Sequence, residues 1–266
     1  MSPISLNSYL DDIASKLIIK GAENDSISKS LDVFRDRMKD YFKSHESVNL
    51  TEIKVFGSYD RDTNLPQSVD YNTDVDIMLV MDDDGCTPQT YLDRVRRAVE
   101  AKYSTSDIKQ SNPTIVLQMQ HIKFEITPAI KESGLYKIKN GDNGWMYTFC
   151  MTDFSNLTKA NQANNYMVKP AIRLIKYWNV NKNYKAISSY ELEKKIVAYY
   201  STNRYQGYDT KKYLLSGLKQ LQSISMYDFQ RERLDKAIAR VQEAIDDEPK
   251  YQTVPYEEMK EVIAEL

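Results

Sequence analysis

The stretch Val55-Phe56-Gly57-Ser58, followed after a loop by Thr73-Asp74-Val75-Asp76-Ile77, decides the fold of this chain. Side chains alternate across a β-strand, so Asp74 and Asp76 point to one side while Val75 and Ile77 face the core. Two neighbouring carboxylates repel each other unless a cation neutralises them, and Mg²⁺ prefers such oxygen ligands. The acidic pair therefore predicts a metal site at one end of a buried strand.

A third carboxylate follows on a later strand. In Lys123-Phe124-Glu125-Ile126, Phe124 and Ile126 take the core side and Glu125 takes the other. Three carboxylates can hold two Mg²⁺ ions, with Mn²⁺ as an alternative, for two-metal phosphoryl transfer. The sequence favours Glu125 over Asp107, which lies in a loop-like segment, as the third ligand and as acceptor of a proton from the attacking hydroxyl.

Gly57 and Ser58 are candidate phosphate-binding residues. Glycine lets the backbone approach a phosphate closely, and Ser58 offers a hydroxyl and an amide at the predicted start of a helix. A Gly-Ser dipeptide alone is more often a turn, and an Asp-x-Asp alone is more often a solvated surface or a turn cap. Their occurrence in this order, with the acidic pair entering an apolar strand, favours a nucleotide site.

The periodicity of apolar residues predicts an α+β fold with two lobes. The first lobe, residues 1–150, would hold the N-terminal helices and a mixed sheet with flanking helices, and residues 151–266 would form a helical lobe packed on it, with a ligand cleft between them. The predicted elements are helices at 5–19, 26–44 and 91–103, strands at 53–56 and 75–81, a hairpin of 114–118 and 122–126 that stops at Pro128, and further helices at 188–201, 210–222 and 228–247.

Composition excludes several classes of protein. Hydrophobic residues make up 41% of the 266-residue chain and charged residues 28%, which is typical of a soluble globular protein. No apolar run is long enough to cross a bilayer, and Asp11, Asp12 and Lys16 interrupt any signal peptide, so we expect a cytoplasmic protein. Two distant cysteines and two histidines indicate neither a disulfide framework nor a zinc finger. The net charge of −2 argues against a long nucleic-acid footprint but leaves a nucleotide ligand open.

The order of these motifs resembles that of the polymerase-β-type nucleotidyltransferase superfamily, in which Gly-Ser is followed by Asp-x-Asp and a later lone acidic residue. A narrower likeness, over about residues 50–200, is to the cGAS/DncV-like nucleotidyltransferases (CD-NTases) of bacterial CBASS anti-phage systems. The stretches that carry it are Gly57-Ser58, Asp74-Val75-Asp76, Phe124-Glu125-Ile126-Thr127-Pro128-Ala129, Gly144-Trp145, Leu157-Thr158-Lys159-Ala160-Asn161, Arg173-Leu174-Ile175-Lys176-Tyr177-Trp178-Asn179 and Ser188-Ser189-Tyr190-Glu191-Leu192-Glu193.

This resemblance implies a function. Ribonucleoside triphosphates would be joined into a cyclic di- or oligonucleotide second messenger with release of pyrophosphate, and the product would activate a separate effector protein. The resemblance places Lys176 and Ser189 on the donor triphosphate and Tyr190 against a nucleobase. We also expect a monomer, and the lack of a zinc module and of a basic platform in the sequence argues against direct activation by DNA. One departure is Glu125, because the superfamily usually has Asp there, and the longer side chain predicts reduced activity or an altered metal preference.

Other interpretations of the same residues remain open. A lysine on a helix face is ordinarily solvated, and one tyrosine among 20 ordinarily serves packing. The chain could also be a transferase that adds nucleotides to a protein or an RNA, although its charge argues against RNA. A catalytically weak nucleotide sensor is the third alternative, and the intact Asp74 and Asp76 pair argues against it.

Overall fold

The computed structural model describes residues 5–141, 144–204 and 207–266. The chain divides into two compact units, a sheet unit of Ile19–Thr152 and a helical unit of Met1–Ile18 with Asp153–Leu266. In chain order the elements are α1 (Leu6–Lys16), α2 (Ala22–His45), β1 (Leu50–Phe56), α3 (Gly57–Asp60), β2 (Asp74–Met81), α4 (Pro88–Lys102), β3 (Asp107–Ser111), β4 (Thr114–Gln118), β5 (Lys123–Glu132), β6 (Leu135–Asn140), β7 (Gly144–Thr148), α5 (Cys150–Ala163), α6 (Val168–Asn181), α7 (Ser189–Thr202), α8 (Thr210–Leu221), α9 (Asp228–Asp247) and α10 (Val254–Val262).

The sheet is mixed, as the sequence predicts. Its main path runs β1-β2-β5-β4-β3, while β6 pairs with β5 and β7 pairs with β6. Strands β2 and β5 are parallel, and every other pair among the described strands is antiparallel. Parallel pairing of the two central strands places the first residues of both at the same edge of the sheet.

Alternation along β2 separates the core from the candidate site. One side of the strand packs under α2 and α4, and the buried residues of that core include Val75, Ile77, Leu79, Phe34, Met38, Tyr91, Val95, Phe124 and Ile126. The other side carries Asp74 and Asp76 and continues into Met78 and Val80, which belong to a second buried cluster. The apolar half of the strand therefore fixes which way the two carboxylates point.

Strand β5 does not stop at Pro128, contrary to the sequence prediction, but continues to Glu132. On one side of β5, strand β4 pairs up to Ile126 and strand β6 takes over at Ala129. Pro128 lies between these two partners, and a residue without an N–H group is tolerated where a ladder is interrupted. Sequence alone does not show such a change of partner.

Helix α6 is the centre of the helical unit. Its buried residues include Ala171, Ile172, Leu174, Ile175, Tyr177 and Trp178. Helices α1, α7 and α8 pack on it, α8 also contacts α9, and α9 packs on α10. Close approach of α6 and α8 is possible because Gly217 of α8 presents no side chain to Ile175.

Helix α1 packs with the helical unit, whereas the sequence prediction placed it in a 1–150 lobe with the sheet. Its buried stripe, which includes Leu6, Leu10 and Ile13, packs among α6, α8 and α10. The Tyr9 hydroxyl also donates a hydrogen bond to the carbonyl oxygen of Ile263 at 2.5 Å. The predicted boundary at residue 150 assumes that each lobe is one continuous stretch of the chain. The contacts of α1 show that the helical unit contains both ends of the chain.

Within the described residues, no helix is both long enough and apolar enough to pass through a membrane. The longest helices, α2 with 24 residues and α9 with 20, carry charged residues throughout.

Candidate active site

Three predicted carboxylates meet on one face at the start of β2 and β5. The parallel register places Asp76 opposite Glu125 and Asp74 opposite Lys123. Paired residues of parallel strands point to the same side of the sheet, so all four side chains share this face. The side chains of Asp74 and Glu125 are each 29% exposed, which leaves them accessible from solvent.

Lys123 is the residue of this cluster that the sequence analysis missed. Its Nζ lies 3.1 Å from Asp74 Oδ2 and 2.8 Å from Glu125 Oε1, so one ammonium bridges two carboxylates. Alternation along the strand could have predicted that Lys123 shares a face with Glu125, because it lies two residues before Glu125 in β5. Its position in the parallel register could not be known without the pairing.

The carboxylates are electrostatically strained. Burial, followed by the charges of Asp74 and Glu125, raises the pKa of Asp76 to about 7. Burial and the charge of Glu125 also raise the pKa of Asp74, although Lys123 opposes them. Burial alone would lower the pKa of Lys123, but its bonds to Glu125 and Asp74 raise it. One ammonium therefore compensates the acidic cluster only in part.

Gly57 is required by the close approach of Asp76. It has a φ of +75°, and a Cβ at this position would overlap the carboxylate of Asp76. Ser58 follows in α3, a helix of only four residues, and its carbonyl oxygen accepts a hydrogen bond from the Thr63 amide at 2.9 Å. The turn and the acidic strand are thus in direct contact, as the order of the motifs predicts.

The loop after α3 supports the same strand. The Asn64 side-chain amide donates to the Asp74 carbonyl oxygen at 2.6 Å, and the Thr73 hydroxyl donates to Asn64 Oδ1 at 2.8 Å. Arg61 is buried, and its positive charge opposes the raised pKa of Asp76. No sequence pattern singled out Asn64 or Arg61, since their partners are set by the folded loop.

The donor set suits a hard divalent cation. Three carboxylates on two adjacent strands supply the oxygen ligands that Mg²⁺ prefers, and two of them have raised pKa values that a cation would relieve. No three acidic, histidine or cysteine side chains among the described residues form a ready-made metal cage. A cation would fit after the ammonium of Lys123 moves away from Asp74 and Glu125.

Lys176, Ser189 and Tyr190 lie in the helical unit. Lys176 is buried rather than on a solvated face, and its Nζ lies 2.9 Å from the Glu193 carboxylate. Lys176 is not a solvated lysine, because α7 covers that side of α6 and places Glu193 against it. Ser189 begins α7 and is exposed, and Tyr190 is 51% exposed with its hydroxyl donating to Asp153 at 3.1 Å.

Asp107, the alternative third ligand, and His121, which comes shortly before β5, have partners of their own. Asp107 belongs to strand β3 rather than to a loop, and its carboxylate pairs with Lys109 at 2.8 Å. His121 lies next to α2, where its Nε2 is 2.8 Å from the Ser30 hydroxyl. The register places Asp107 in one row with Gln118, Lys123 and Asp74, on the same face of the sheet, but strands β4 and β5 separate it from β2.

The mixed sheet and its acidic edge beside a Gly-Ser turn define a nucleotidyltransferase fold of the polymerase-β type. The profile of the Second Messenger Oligonucleotide or Dinucleotide Synthetase domain matches residues 4–164, and the chain belongs to this family. The chain is also similar to a probable cyclic nucleotide synthase of Bacillus cereus (strain VD146), at 28% identity over 217 residues, which are 66% of this chain. That match spans 63% of the relative's length.

Solved structures share the fold at low identity. The Vibrio cholerae DncV cyclic AMP-GMP synthase, in complex with the linear intermediate pppA(3′,5′)pG, matches with a TM-score of 0.77 and 10% identity over 99% of this chain and 96% of its own. CdnC of Escherichia coli MS115-1, with ATP, matches with a TM-score of 0.71 and 11% identity over 97% of this chain and 98% of its own. CdnG of Bradyrhizobium diazoefficiens, with GTP, gives the same TM-score and identity over the same shares. These matches show a common architecture and confirm the α+β prediction.

Proposed function

We propose that this protein is a nucleotidyltransferase that joins ribonucleoside triphosphates into a cyclic di- or oligonucleotide and releases pyrophosphate. The observation that carries the proposal is the meeting of Asp74, Asp76 and Glu125 on one face of β2 and β5, with Gly57 in contact with Asp76. Family membership and the name of the Bacillus cereus relative support the same reaction.

The residues of the sheet unit divide the chemistry among them. Gly57 and Ser58 would bind the triphosphate of the donor nucleotide through backbone amides and the serine hydroxyl. Asp74, Asp76 and Glu125 would hold two Mg²⁺ ions, with Mn²⁺ as an alternative. When bound, these ions would supply positive charge at the triphosphate and acidify the attacking ribose hydroxyl. A Glu125 carboxylate oxygen would accept the proton that this hydroxyl releases.

Lys123 would change partners during this cycle. In the structure its ammonium neutralises Asp74 and Glu125, which are the oxygens that a metal ion needs. On metal binding, repulsion would displace the ammonium from both carboxylates. Its flexible side chain could then reach a phosphate oxygen of the substrate instead.

The helical unit would contribute further contacts to the nucleotide. Tyr190 is exposed enough to stack on a base, and Lys194 Nζ lies 5.7 Å from its ring centroid. Ser189 is exposed at the start of α7 and would bind phosphate. Lys176 could join the triphosphate only by leaving Glu193, because the two side chains are buried together.

The biological part of the proposal rests on the family. We infer that the product acts as a second messenger in cytoplasmic anti-phage signalling and that it activates an effector protein in trans, while the synthase works as a monomer. A transferase that modifies a protein or RNA, and a catalytically weak nucleotide sensor, are the alternatives that the experiment must separate.

Product analysis tests the proposal. We would incubate the protein with each labelled ribonucleoside triphosphate and Mg²⁺ or Mn²⁺, and compare Asp74→Ala/Asp76→Ala as an inactive control and Glu125→Asp as a conservative variant. A small phosphatase-resistant product that the control does not make is the expected result. A labelled macromolecule would support the transferase alternative, and nucleotide binding without pyrophosphate release under any condition would support the sensor.

A further inference from the structure

A cavity lies within the helical unit, apart from the carboxylates of the sheet unit. It has a volume of about 390 Å³ and is lined by residues of α6, α9 and α10 and by Lys182, which follows α6. Trp178 forms part of its wall and is only 2% exposed. A volume of this order is within the range of small-ligand sites, which begins at roughly 300 Å³.

Positive charge dominates the lining. Four cationic side chains face one carboxylate, and these residues are Lys182, Arg233, Lys236, Arg240 and Glu261. Arg240 is already paired, with Glu243 at 2.8 Å and with Glu261 at 3.0 Å. Over the described part of the chain, the other three cations have no carboxylate within ion-pair distance. This concave surface therefore carries three cations that make no ion pair among the described residues, beside the pair of Arg240 with Glu261.

Aromatic rings stand beside these cations. The Arg233 guanidinium lies 4.6 Å from the ring centroid of Tyr184 and 5.4 Å from that of Phe229. Tyr227 stacks on Phe229 with centroids 5.8 Å apart and an angle of 7°. Despite these contacts, Tyr184, Phe229 and Tyr227 are 75%, 52% and 74% exposed, so much of their apolar surface faces solvent.

We propose that this cavity binds a phosphorylated nucleotide, with the phosphates on Lys182, Arg233 and Lys236 and the base against the aromatic rings beside them. The guanidinium of Arg233, in contact with two rings, offers a planar set of donors that suits phosphate oxygens. Exposed aromatic rings supply a stacking surface for any base. A long nucleic acid fits less well, because the chain has a net charge of −2 and the cations converge in a concave site. The site uses none of the carboxylates of the proposed reaction, so its ligand would be a regulator rather than a substrate.

Titration of the full chain in EDTA tests this site, because chelation removes the metal on which triphosphate binding at the carboxylates would depend. Calorimetry would follow binding of ATP and of inorganic tripolyphosphate to the wild type, to Arg233→Gln/Lys236→Gln, and to Lys212→Gln/Lys219→Gln. The last variant removes the same charge from exposed positions of α8. A third variant, Tyr227→Ala/Phe229→Ala, removes the stacked rings.

Loss of two charge-assisted contacts should weaken both ligands by about tenfold or more in Arg233→Gln/Lys236→Gln, while the α8 control changes little. ATP should bind more tightly than tripolyphosphate, and Tyr227→Ala/Phe229→Ala should abolish that preference. The proposal is overturned if the wild type binds neither ligand, if both charge variants weaken binding equally, or if ATP has no advantage over tripolyphosphate. Repeating the titration with Asp74→Asn/Asp76→Asn separates the two sites, since binding in the cavity should persist there.

Discussion

At the scale of single residues, Lys123 decides how the carboxylates behave without metal. Because its ammonium bridges Asp74 and Glu125, replacing it with methionine leaves these two acids facing each other with no charge between them. We expect Lys123→Met to lose about 1–3 kcal/mol of unfolding free energy in EDTA and to recover most of it in Mg²⁺. Urea denaturation with and without the ion measures both values.

Lys109→Met is the matched control for this substitution, since Lys109 pairs with a single exposed acid, Asp107, on an outer strand. Its stability should respond to Mg²⁺ no more than that of the wild type does. If Lys123→Met is as stable as the wild type in EDTA, or if Mg²⁺ stabilises the two lysine variants equally, the bridging role assigned to Lys123 is wrong.

Asp84, just after β2, gives a stability that depends on pH. The Arg94 guanidinium at 2.7 Å, followed by the Tyr91 hydroxyl, holds the pKa of Asp84 well below its usual range. A depressed pKa stabilises the fold above the unfolded value, near pH 4, and that contribution is lost as pH falls towards the folded pKa. Asp84→Asn should therefore lower stability by about 1 kcal/mol at pH 7, with a smaller deficit at pH 3.

Melting temperatures of the wild type and the variant at pH 7, 5 and 3 check this trend. Asp83→Asn is the control, because Asp83 is exposed and accepts only the Gly85 amide among the described contacts. A deficit that is constant over the whole pH range, or equal in both variants, would contradict the assignment to the Arg94 pair.

At the scale of elements, the contact between α6 and α8 depends on a missing side chain. A Cβ at Gly217 would lie 2.5 Å from Ile175 Cδ1. Overpacking of this kind costs about 1–3 kcal/mol, whereas alanine gains about 1 kcal/mol of helix propensity over glycine. Gly217→Ala should therefore destabilise the helical unit, and thermal melting would show a lower transition temperature.

A double variant separates packing from propensity. Ile175→Val removes the atom that the new methyl group would meet, so Gly217→Ala/Ile175→Val should be more stable than the two single effects predict by addition. Ser216→Ala, one position earlier on α8, controls for alanine in this helix. A Gly217→Ala protein that melts above the wild type would show that the two helices can move apart at little cost.

The orientation of side chains was predictable from the sequence where it depends only on the alternation of residues within one strand. The alternation of Asp74 and Asp76 with Val75 and Ile77 is local, so the sequence places these carboxylates on one face without knowledge of the fold. Lys123 and Pro128 required knowledge of the partners of β5, because their surroundings come from β2, β4 and β6. The burial of Lys176 could not be predicted for the same reason, since its partner Glu193 lies 17 residues away on another helix.

At the scale of the whole molecule, the two ends of the chain meet within the helical unit. Leu10 of α1 is fully buried there, and Leu10→Ala should cost about 2–5 kcal/mol. Each unit contains one of the two tryptophans, Trp145 in the sheet unit and Trp178 in the helical unit. The loss should therefore appear in the unfolding transition that Trp178 reports.

Single-tryptophan variants provide the measurement. Leu10→Ala would be combined with Trp145→Phe or with Trp178→Phe, and fluorescence would be followed in urea. The Trp178 signal should shift to lower urea and the Trp145 signal should shift less. A larger shift of the Trp145 signal would show that α1 stabilises the sheet unit, as the predicted 1–150 lobe implies. Equal shifts of the two signals would show that both units unfold in one transition.

The parallel pairing of β2 with β5 also protects the site against a particular error. A slip of one residue along β5 would turn Phe124 outwards into the acidic face and force Glu125 into the apolar interior beneath α2 and α4. This shifted register would be unstable, because it would bury the charge of Glu125 and expose the ring of Phe124. Mutations that weaken the sheet should therefore lower the fraction of folded protein. The turnover rate of each molecule that does fold should stay unchanged.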